Sequence, residues 1–177
     1  GIVVPPEYGG QGMDYLSYII ATEEIARVDG SHAATIAAGN SLGIGPLYYY
    51  GSEEQKKQWL PGIAEGKLRL QAFGVTEPTS GTDTLALKTT ARREGDEYVI
   101  NGRKWWASGA GDPRCEIYIF MGKTDPEGHP YRQQSMILVP RDTPGVEIKR
   151  MVPVFGYDGA PHGHGEIVFK DARVPVS

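Results

Sequence analysis

The sequence predicts an α+β protein in which a helical domain, residues 1–66, precedes a middle β domain, residues 67–177, built as an antiparallel barrel or sandwich. Two observations carry this prediction. Apolar residues before residue 67 recur at helical spacing, whereas after it the period approaches two. Turn-forming residues then recur about every ten positions, which is typical of such β folds.

Composition limits the classes of protein. The chain has 177 residues, of which 40% are hydrophobic, enough for a real core. Its net charge of -4 argues against a nucleic-acid partner held through phosphates. No apolar run approaches the ~18 residues of a transmembrane helix. Because Gly1 stands where a Met would start a chain, we expect a fragment of a longer protein.

The first helix is predicted from Asp14, an N-cap residue, with Asp29-Gly30 stopping it. Its apolar positions at helical spacing are Leu16, Ile19, Ile20 and Ala26. Ser31 is predicted to open a second, alanine-rich helix that ends before Pro46.

A third helix is predicted in "SEEQKKQWL", where Ser52 and Gln55 have the spacing of a capping box. Glu53 and Glu54 lie at the positive end of its dipole. The sequence thus indicates three helices before Pro61.

The β domain contains a predicted two-residue hairpin in "EYVINGRKWWAS", where Asn101-Gly102 suits a type I′ turn. "RREGDEY" is predicted to turn the preceding strand into Glu97 to Ile100. Further strands are predicted in "CEIYIFMGK", "SMILVP", "GVEIKR" and "GEIVFKDARVP".

The segment "QAFGVTEPTSGTDT" begins like a strand and then becomes rich in hydroxyl groups. The hydroxyl residues are Thr76, Thr79, Ser80, Thr82 and Thr84. One interpretation is a turn that closes a strand. The other is a strand end that presents N–H and hydroxyl groups to a polar ligand.

Other candidate chemistry is weak. The sequence has no phosphate-binding loop, serine-hydrolase elbow, H-E-x-x-H or paired C-x-x-C motif. Cys115 is interpreted as a buried strand residue. His162 and His164 have the spacing for a metal but lack a third ligand nearby, so we predict no metal site and interpret them as loop residues.

Basic residues and tryptophans of the β domain are assigned from strand alternation. One of Trp105 and Trp106 should face inward and the other outward, the outer ring being rim packing or a platform for a flat ligand. The basic residues interpreted as solvated strand faces are Arg92, Arg93, Arg103, Lys104, Lys149 and Arg150.

Five segments occur in an order and spacing that resembles the acyl-CoA dehydrogenase family. They are "VPPEYGGQG", "YGSEEQKKQWLPGIAEGK", "FGVTEPTSGTD", "YVINGRKWWASGA" and "EIVFKDARVP", and they cover nearly the whole chain. The detail "VFGYDGAPHGHGEIVF" is most similar to the branch of family members ten and eleven.

The resemblance implies N-terminal helical, middle β and C-terminal helical domains, with FAD between the last two. The chain would supply an incomplete N-terminal domain and the middle domain, the C-terminal helical domain being absent. The implied activity is α,β-dehydrogenation of an acyl-CoA thioester with hydride transfer to FAD. The resemblance also implies that the chain is part of an oxidoreductase, a flavoprotein that acts in fatty acid metabolism through β-oxidation.

The resemblance also implies site residues. Phe73, Val75 and Thr76 match the strand end that contacts the flavin, and Thr82 matches the serine that meets the acyl-CoA substrate. In the segment Trp106-Ala107-Ser108, the ring would pack beside the isoalloxazine and the Ser108 hydroxyl would reach N5. Thr82 and Ser108 stand where Ser and Thr are commoner, which keeps the hydroxyl but changes its placement.

The catalytic base is implied to lie in the absent C-terminal domain, so no catalytic residue is assigned within the chain and the fragment is expected to be inactive. Glu77 and Asp83 are accordingly interpreted as turn-stabilising carboxylates.

Two other functions remain open. One is an acyl-CoA oxidase or another flavoenzyme on the same scaffold, and the other is a non-catalytic helix-plus-β-sandwich binding module. The expected partners are acyl-CoA and an electron-transfer flavoprotein or a similar acceptor, with no nucleic acid and with a homo-oligomer at full length. We expect an intracellular protein, in mitochondria, peroxisomes or the bacterial cytoplasm.

Overall fold

The computed structural model describes residues 1–69 and 72–176. The chain forms two compact units, residues 1–71 and 72–177. The boundary predicted after residue 66 precedes this division and stays a prediction. The mixed α+β class is confirmed, with helices in the first unit and a β-sheet in the second.

Within the described part of the first unit, four α-helices follow a short 3-10 turn. They are α1 (Tyr15–Ala26), α2 (Gly30–Ala38), α3 (Ile44–Tyr50) and α4 (Glu53–Ala64). Two predicted starts are confirmed. Asp14 accepts a hydrogen bond from the Ser17 N–H at the start of α1, and Ser52 and Gln55 form both bonds of the capping box of α4.

The predicted number of helices and the predicted start of the second helix are wrong. Asp29, not Ser31, caps α2, because its carboxylate accepts from the N–H groups of Ser31 and His32. The chain continues beyond α2 through a π-helical turn, Gly39–Gly43, into α3. Pro46 lies in the first turn of α3, directly after the π-helical turn, and the helix continues past it to Tyr50. Pro61 also lies inside α4.

The apolar spacing in α1 predicts the helix correctly but not a buried face. Leu16, Ile19 and Ile20 are all exposed, at 64%, 57% and 51% of their full accessibility. No helix in the described ranges is long and apolar enough to cross a membrane.

The second unit contains seven strands in the residues described, joined in one sheet. They are β1 (Phe73–Gly74), β2 (Thr90–Glu94), β3 (Glu97–Ser108), β4 (Ile117–Lys123), β5 (Gln134–Pro140), β6 (Val146–Val152) and β7 (His164–Pro175). The order is β1-β4-β2-β3-β7-β6, with β5 also paired to β4. The long pairings are antiparallel as predicted, whereas β4 pairs in parallel with β1 over two residue pairs and with β2 over one.

The predicted hairpin at Asn101-Gly102 is wrong, because β3 runs through it without turning. The Asn101 side chain instead exchanges hydrogen bonds with Asp171 of β7, and the sheet register shifts between Ile100 and Gly102. The reversal between β2 and β3 lies at Gly95, which has φ 63°. The turn predicted in "RREGDEY" is therefore confirmed.

The core of the second unit is formed mainly by residues of β2, β3, β4, β5 and β7. Its fully buried members include Tyr118, Phe120, Ile100, Ile167 and Val139. The predicted burial of Cys115 in this core is confirmed, but the residue precedes β4 and is not in a strand; burial raises the pKa of its thiol to about 11. Strand β3 thus packs one face against this core, and its other positions are available for the site described in the next subsection.

Candidate functional site

The end of β1 is fastened to the middle of β3. The Trp105 N–H donates to the Thr76 carbonyl at 3.0 Å. The Lys104 ammonium donates to the Val75 carbonyl at 2.9 Å. These two bonds hold residues 75 and 76 against β3, although residue 74 is the last residue of β1.

Lys104 and Glu77 form a buried ion pair beneath this junction. Their side chains are 0% and 3% exposed, and Lys104 Nζ lies 2.9 Å from Glu77 Oε1. Glu77 also accepts from the Lys88 N–H, the Thr89 N–H and the Thr89 hydroxyl. Burial alone would raise the pKa of Glu77, but these donors, led by Lys104, outweigh it and lower the pKa. Glu77 is therefore a charged anchor of the strand end.

Strand β3 has a second irregularity at its tryptophans. The register with β7 shifts between Lys104 and Ala107, so Trp105 and Trp106 lie in a bulge. Trp106 has φ 56°, a left-handed conformation uncommon for a large side chain. Its ring is 40% exposed, whereas Trp105 is half-buried. The bulge thus turns the Trp106 ring toward solvent.

Beyond the bulge, Ser108 meets His164 at the start of β7. The two residues are register partners, and Ser108 Oγ lies 2.8 Å from His164 Nδ1. The His164 ring lies 5.7 Å from the Trp106 ring, centroid to centroid, at an interplanar angle of 56°. Ser108, Trp106 and His164 therefore form one group at this end of the sheet, in which Ser108 and Trp106 are exposed and His164 is half-buried.

The hydroxyl-rich turn folds back over the end of β1. Glu77 and Ser80 exchange backbone hydrogen bonds, and a Cβ placed on Gly81 would lie 3.8 Å from the Thr76 methyl group. Thr82 follows as an exposed residue. The Asp83 carboxylate accepts from the Leu85 N–H, which supports its interpretation as a turn-stabilising group.

The structure places the predicted site residues as follows. Phe73, Val75 and Thr76 are half-buried at the end of β1, Thr82, Trp106 and Ser108 are exposed, and Ala107 is fully buried between the last two. Thr76 is tied to the neighbour of Trp106 and lies beside the turn that carries Thr82. Ala107 can offer a ligand only its backbone. Binding roles for these residues remain predictions.

Two residues of this region were misjudged from the sequence. Lys104 is fully buried, so its assignment to a solvated face is wrong, although the other five basic residues are exposed as predicted. Alternation from the buried Ile100 through residue 102 to 104 was a usable signal, but the assumed turn at 101–102 interrupted it. His164 is a strand residue at the site, and the pairing of β3 with β7 that brings it to Ser108 has no local sequence signal.

The two histidines do not share a ligand. His162 Nδ1 lies 3.0 Å from the buried Asp112 carboxylate, whereas His164 contacts Ser108. Within residues 1–69 and 72–176, no group of three or more His, Cys, Asp or Glu side chains could hold a metal ion.

The site is chemically a set of neutral donors beside an exposed indole. Across the described ranges, the Thr76 hydroxyl and N–H have no hydrogen-bond partner, and Thr76 is only half-buried. The Ser108 hydroxyl is also exposed, with His164 as its partner. Such groups suit a flat, uncharged heterocycle with acceptor atoms at its edge.

Family models match both units. The model described as acyl-CoA dehydrogenase, middle domain, matches residues 72–172, and the model for the N-terminal domain matches residues 1–67. The chain belongs to the acyl-CoA dehydrogenase family. The family resemblance found in the five sequence segments is therefore confirmed, as is the predicted α+β fold class.

Curated relatives agree with this membership. A probable acyl-CoA dehydrogenase, FadE2 of Mycobacterium tuberculosis, is 49% identical over 82% of this chain and 35% of its own length. Acyl-CoA dehydrogenase family member 10 of Mus musculus is 49% identical over 73% of this chain and 12% of its own. The chain thus spans about a third or less of these two relatives.

Solved structures share the fold. An acyl-CoA dehydrogenase from Bacillus anthracis complexed with FAD has a TM-score of 0.83 and 35% identity, over 99% of this chain and 29% of that one. A structure described as the electron transferring flavoprotein of Acidaminococcus fermentans has a TM-score of 0.85 and 37% identity, over 99% of this chain and 44% of that one.

Proposed function

We propose that this chain is part of a flavoprotein that α,β-dehydrogenates an acyl-CoA thioester with FAD as the hydride acceptor. The observation that carries the proposal is the joining of two segments that are distant in the sequence. Thr76 at the end of β1 and the Trp106-Ser108 segment of β3 are linked through the Trp105 N–H to Thr76 carbonyl bond. Family membership and the FAD-bound relative support the cofactor.

The residues present fit an isoalloxazine ring. The Thr76 hydroxyl and N–H, unpaired within the described ranges, and the exposed Ser108 hydroxyl are neutral donors, and the Trp106 ring offers an apolar surface beside them. FAD, when bound, supplies the acceptor for the hydride that leaves the β carbon as a proton leaves the α carbon. Thr76 would hold the N1 and O2 edge of the ring, Ser108 would face N5, and Phe73 and Val75 would line the same strand end.

Each residue has a definite task in this arrangement. A preorganised donor such as the Thr76 hydroxyl stabilises negative charge as it develops, and removing one donor of this kind costs about 3–4 kcal/mol in dry sites. The Trp106 ring excludes water from the reacting face. Thr82, exposed on the neighbouring turn, would meet the acyl-CoA. The buried Lys104 and Glu77 keep the donors of Thr76 in place.

We place the base that removes the α proton outside these 177 residues. Glu77 is unsuited to that role because it is 4% exposed and its carboxylate already accepts four hydrogen bonds. Asp83 holds the following turn through the Leu85 N–H. We therefore expect no turnover from the 177-residue chain alone, in line with the resemblance.

The wider role follows the family. We propose a fatty acid β-oxidation type of reaction, an electron-transfer flavoprotein or similar carrier as the acceptor, an intracellular location and a homo-oligomeric full-length protein. The fold shared with the Acidaminococcus fermentans flavoprotein structure supports the electron-transfer part of this proposal.

The test is an anaerobic titration of the FAD-loaded full-length protein with a panel of acyl-CoA thioesters. We expect at least one thioester to bleach the visible flavin band, because hydride transfer reduces the ring. Admitting oxygen then separates the two flavoenzyme alternatives, since an oxidase is reoxidised rapidly and a dehydrogenase slowly. A full-length protein that stays colourless after addition of FAD would instead indicate the binding module.

A further inference from the structure

We propose that His164 is a positioning residue that sets the direction of the Ser108 hydroxyl toward the flavin. This inference rests on the proposed function, because it takes Ser108 as the group that faces N5. Two observations carry it. His164 Nδ1 lies 2.8 Å from Ser108 Oγ, and the His164 ring lies 5.7 Å from the Trp106 ring.

The backbone fixes this pair. Ser108 and His164 are paired across β3 and β7, and His164 also pairs with Val152 of β6, so it lies in a strand held on both sides. The Gly109 N–H donates to the Gly163 carbonyl at 2.9 Å, which closes the ends of the two strands together. Ser108 and His164 therefore stay within hydrogen-bonding reach of each other.

A serine hydroxyl has one proton to donate, and His164 competes for it. If His164 Nδ1 accepts that proton, Ser108 can offer only lone pairs to a ligand; if Nδ1 carries a proton, Ser108 accepts from it and is free to donate. Flavin N5 is an acceptor when oxidised and carries a proton when reduced. The His164 contact therefore changes the affinity for oxidised flavin and the affinity for reduced flavin by different amounts, although His164 itself does not need to touch the flavin.

The experiment is a double-mutant cycle on the full-length protein loaded with FAD. His164→Leu, Ser108→Ala and the double variant are compared with the wild type by the affinity of oxidised relative to reduced flavin, obtained from the midpoint potential. We expect His164→Leu to change this ratio about fivefold in the protein that retains Ser108, which corresponds to the net free energy of one hydrogen bond. In the Ser108→Ala background the same substitution should leave the ratio unchanged. His164→Asn, which retains an amide near the Nδ1 position, should restore part of the difference.

The matched control is His162→Leu, which removes a neighbouring histidine bonded to Asp112 instead of Ser108. It should leave the ratio at the wild-type value. Equal shifts from His164→Leu in both backgrounds, or a shift in neither, would overturn the inference while leaving the proposed function intact. Failure of the wild-type protein to bind FAD at all would overturn both.

Discussion

Lys104 shows how a single buried charge organises this site. Its ammonium contacts the Val75 carbonyl and Glu77, and it lies 5.3 Å from the centre of the Phe120 ring. Burial lowers the pKa of Lys104, and the hydrogen bond to Glu77 opposes that shift. The strand end that carries Thr76 is therefore held by an ion pair that needs both of its members.

Replacing Lys104 tests this dependence. Lys104→Met keeps the length of the side chain but leaves the Glu77 carboxylate buried without its countercharge. We expect the free energy of unfolding to fall by about 3–5 kcal/mol, as measured by chemical denaturation.

Two further variants serve as controls for the stability of Lys104→Met. Lys104→Met combined with Glu77→Gln removes both charges and should recover part of the loss. Lys149→Met, at an exposed pair with Glu147, should change stability by about 0.5 kcal/mol or less. A loss from Lys104→Met as small as that of Lys149→Met would contradict the anchoring role of Lys104.

For single residues, the sequence predicted the roles of polar groups better than it predicted their burial and contacts. The hydroxyls and carboxylates of the 76–84 segment were assigned to a strand end and a turn without coordinates, but the Glu77 carboxylate bonds Lys104 and the N–H groups of Lys88 and Thr89, which lie outside that turn. The burial of Lys104 was missed because charged side chains are rarely fully buried unless paired, and its partner lies 27 residues away in sequence. Long-range pairing of this kind leaves no local pattern.

Strand β3 is the element that assembles the site. It runs from Glu97 to Ser108 with two register shifts, one at Gly102 and one at the tryptophans. The first keeps the strand beside Thr89, and the second turns the Trp106 ring outward. The Asn-Gly pair was predicted to be a turn because local preference favours one there, but the pairing of β3 with β7 overrides that preference.

Gly102 provides the test at this scale. Its φ is 139°, and an added Cβ would lie 2.7 Å from the Thr89 Cβ and 2.9 Å from the Thr89 Cα. Thr89 cannot easily move away, since its hydroxyl and N–H both donate to Glu77. We expect Gly102→Ala to lower the free energy of unfolding by about 1–3 kcal/mol more than the same substitution at a glycine that has a positive φ but open space around its added Cβ.

Gly95→Ala is the matched control, because Gly95 also has a positive φ, of 63°, but nothing lies within 4 Å of its added Cβ. That substitution should lower the free energy of unfolding only by the strain of a left-handed backbone at alanine, about 1–2 kcal/mol. Equal losses from the two variants in denaturant titrations would contradict the close packing of Gly102 against Thr89.

At the scale of the whole molecule, the two units contribute different observations to the proposed function. The first supplies the helices that match the N-terminal family model, and the second supplies the residues proposed to face FAD. Five ordered sequence segments were enough to predict the family and the α+β class, because their motifs extend over both units. The contact between Ser108 and His164 emerged only from the sheet, since it joins residues 56 positions apart.

The central claim is that the β1 end and the β3 bulge present uncharged donors to a flavin, and FAD affinity tests it most directly. Oxidised FAD is titrated into full-length apoprotein of the wild type and of Thr76→Val, Ser108→Ala and Thr79→Val, the last removing an exposed hydroxyl from the same turn. The account predicts about fivefold weaker binding for Thr76→Val and for Ser108→Ala, and wild-type binding for Thr79→Val. Equal affinity for all four proteins, or no binding by the wild type, would contradict it.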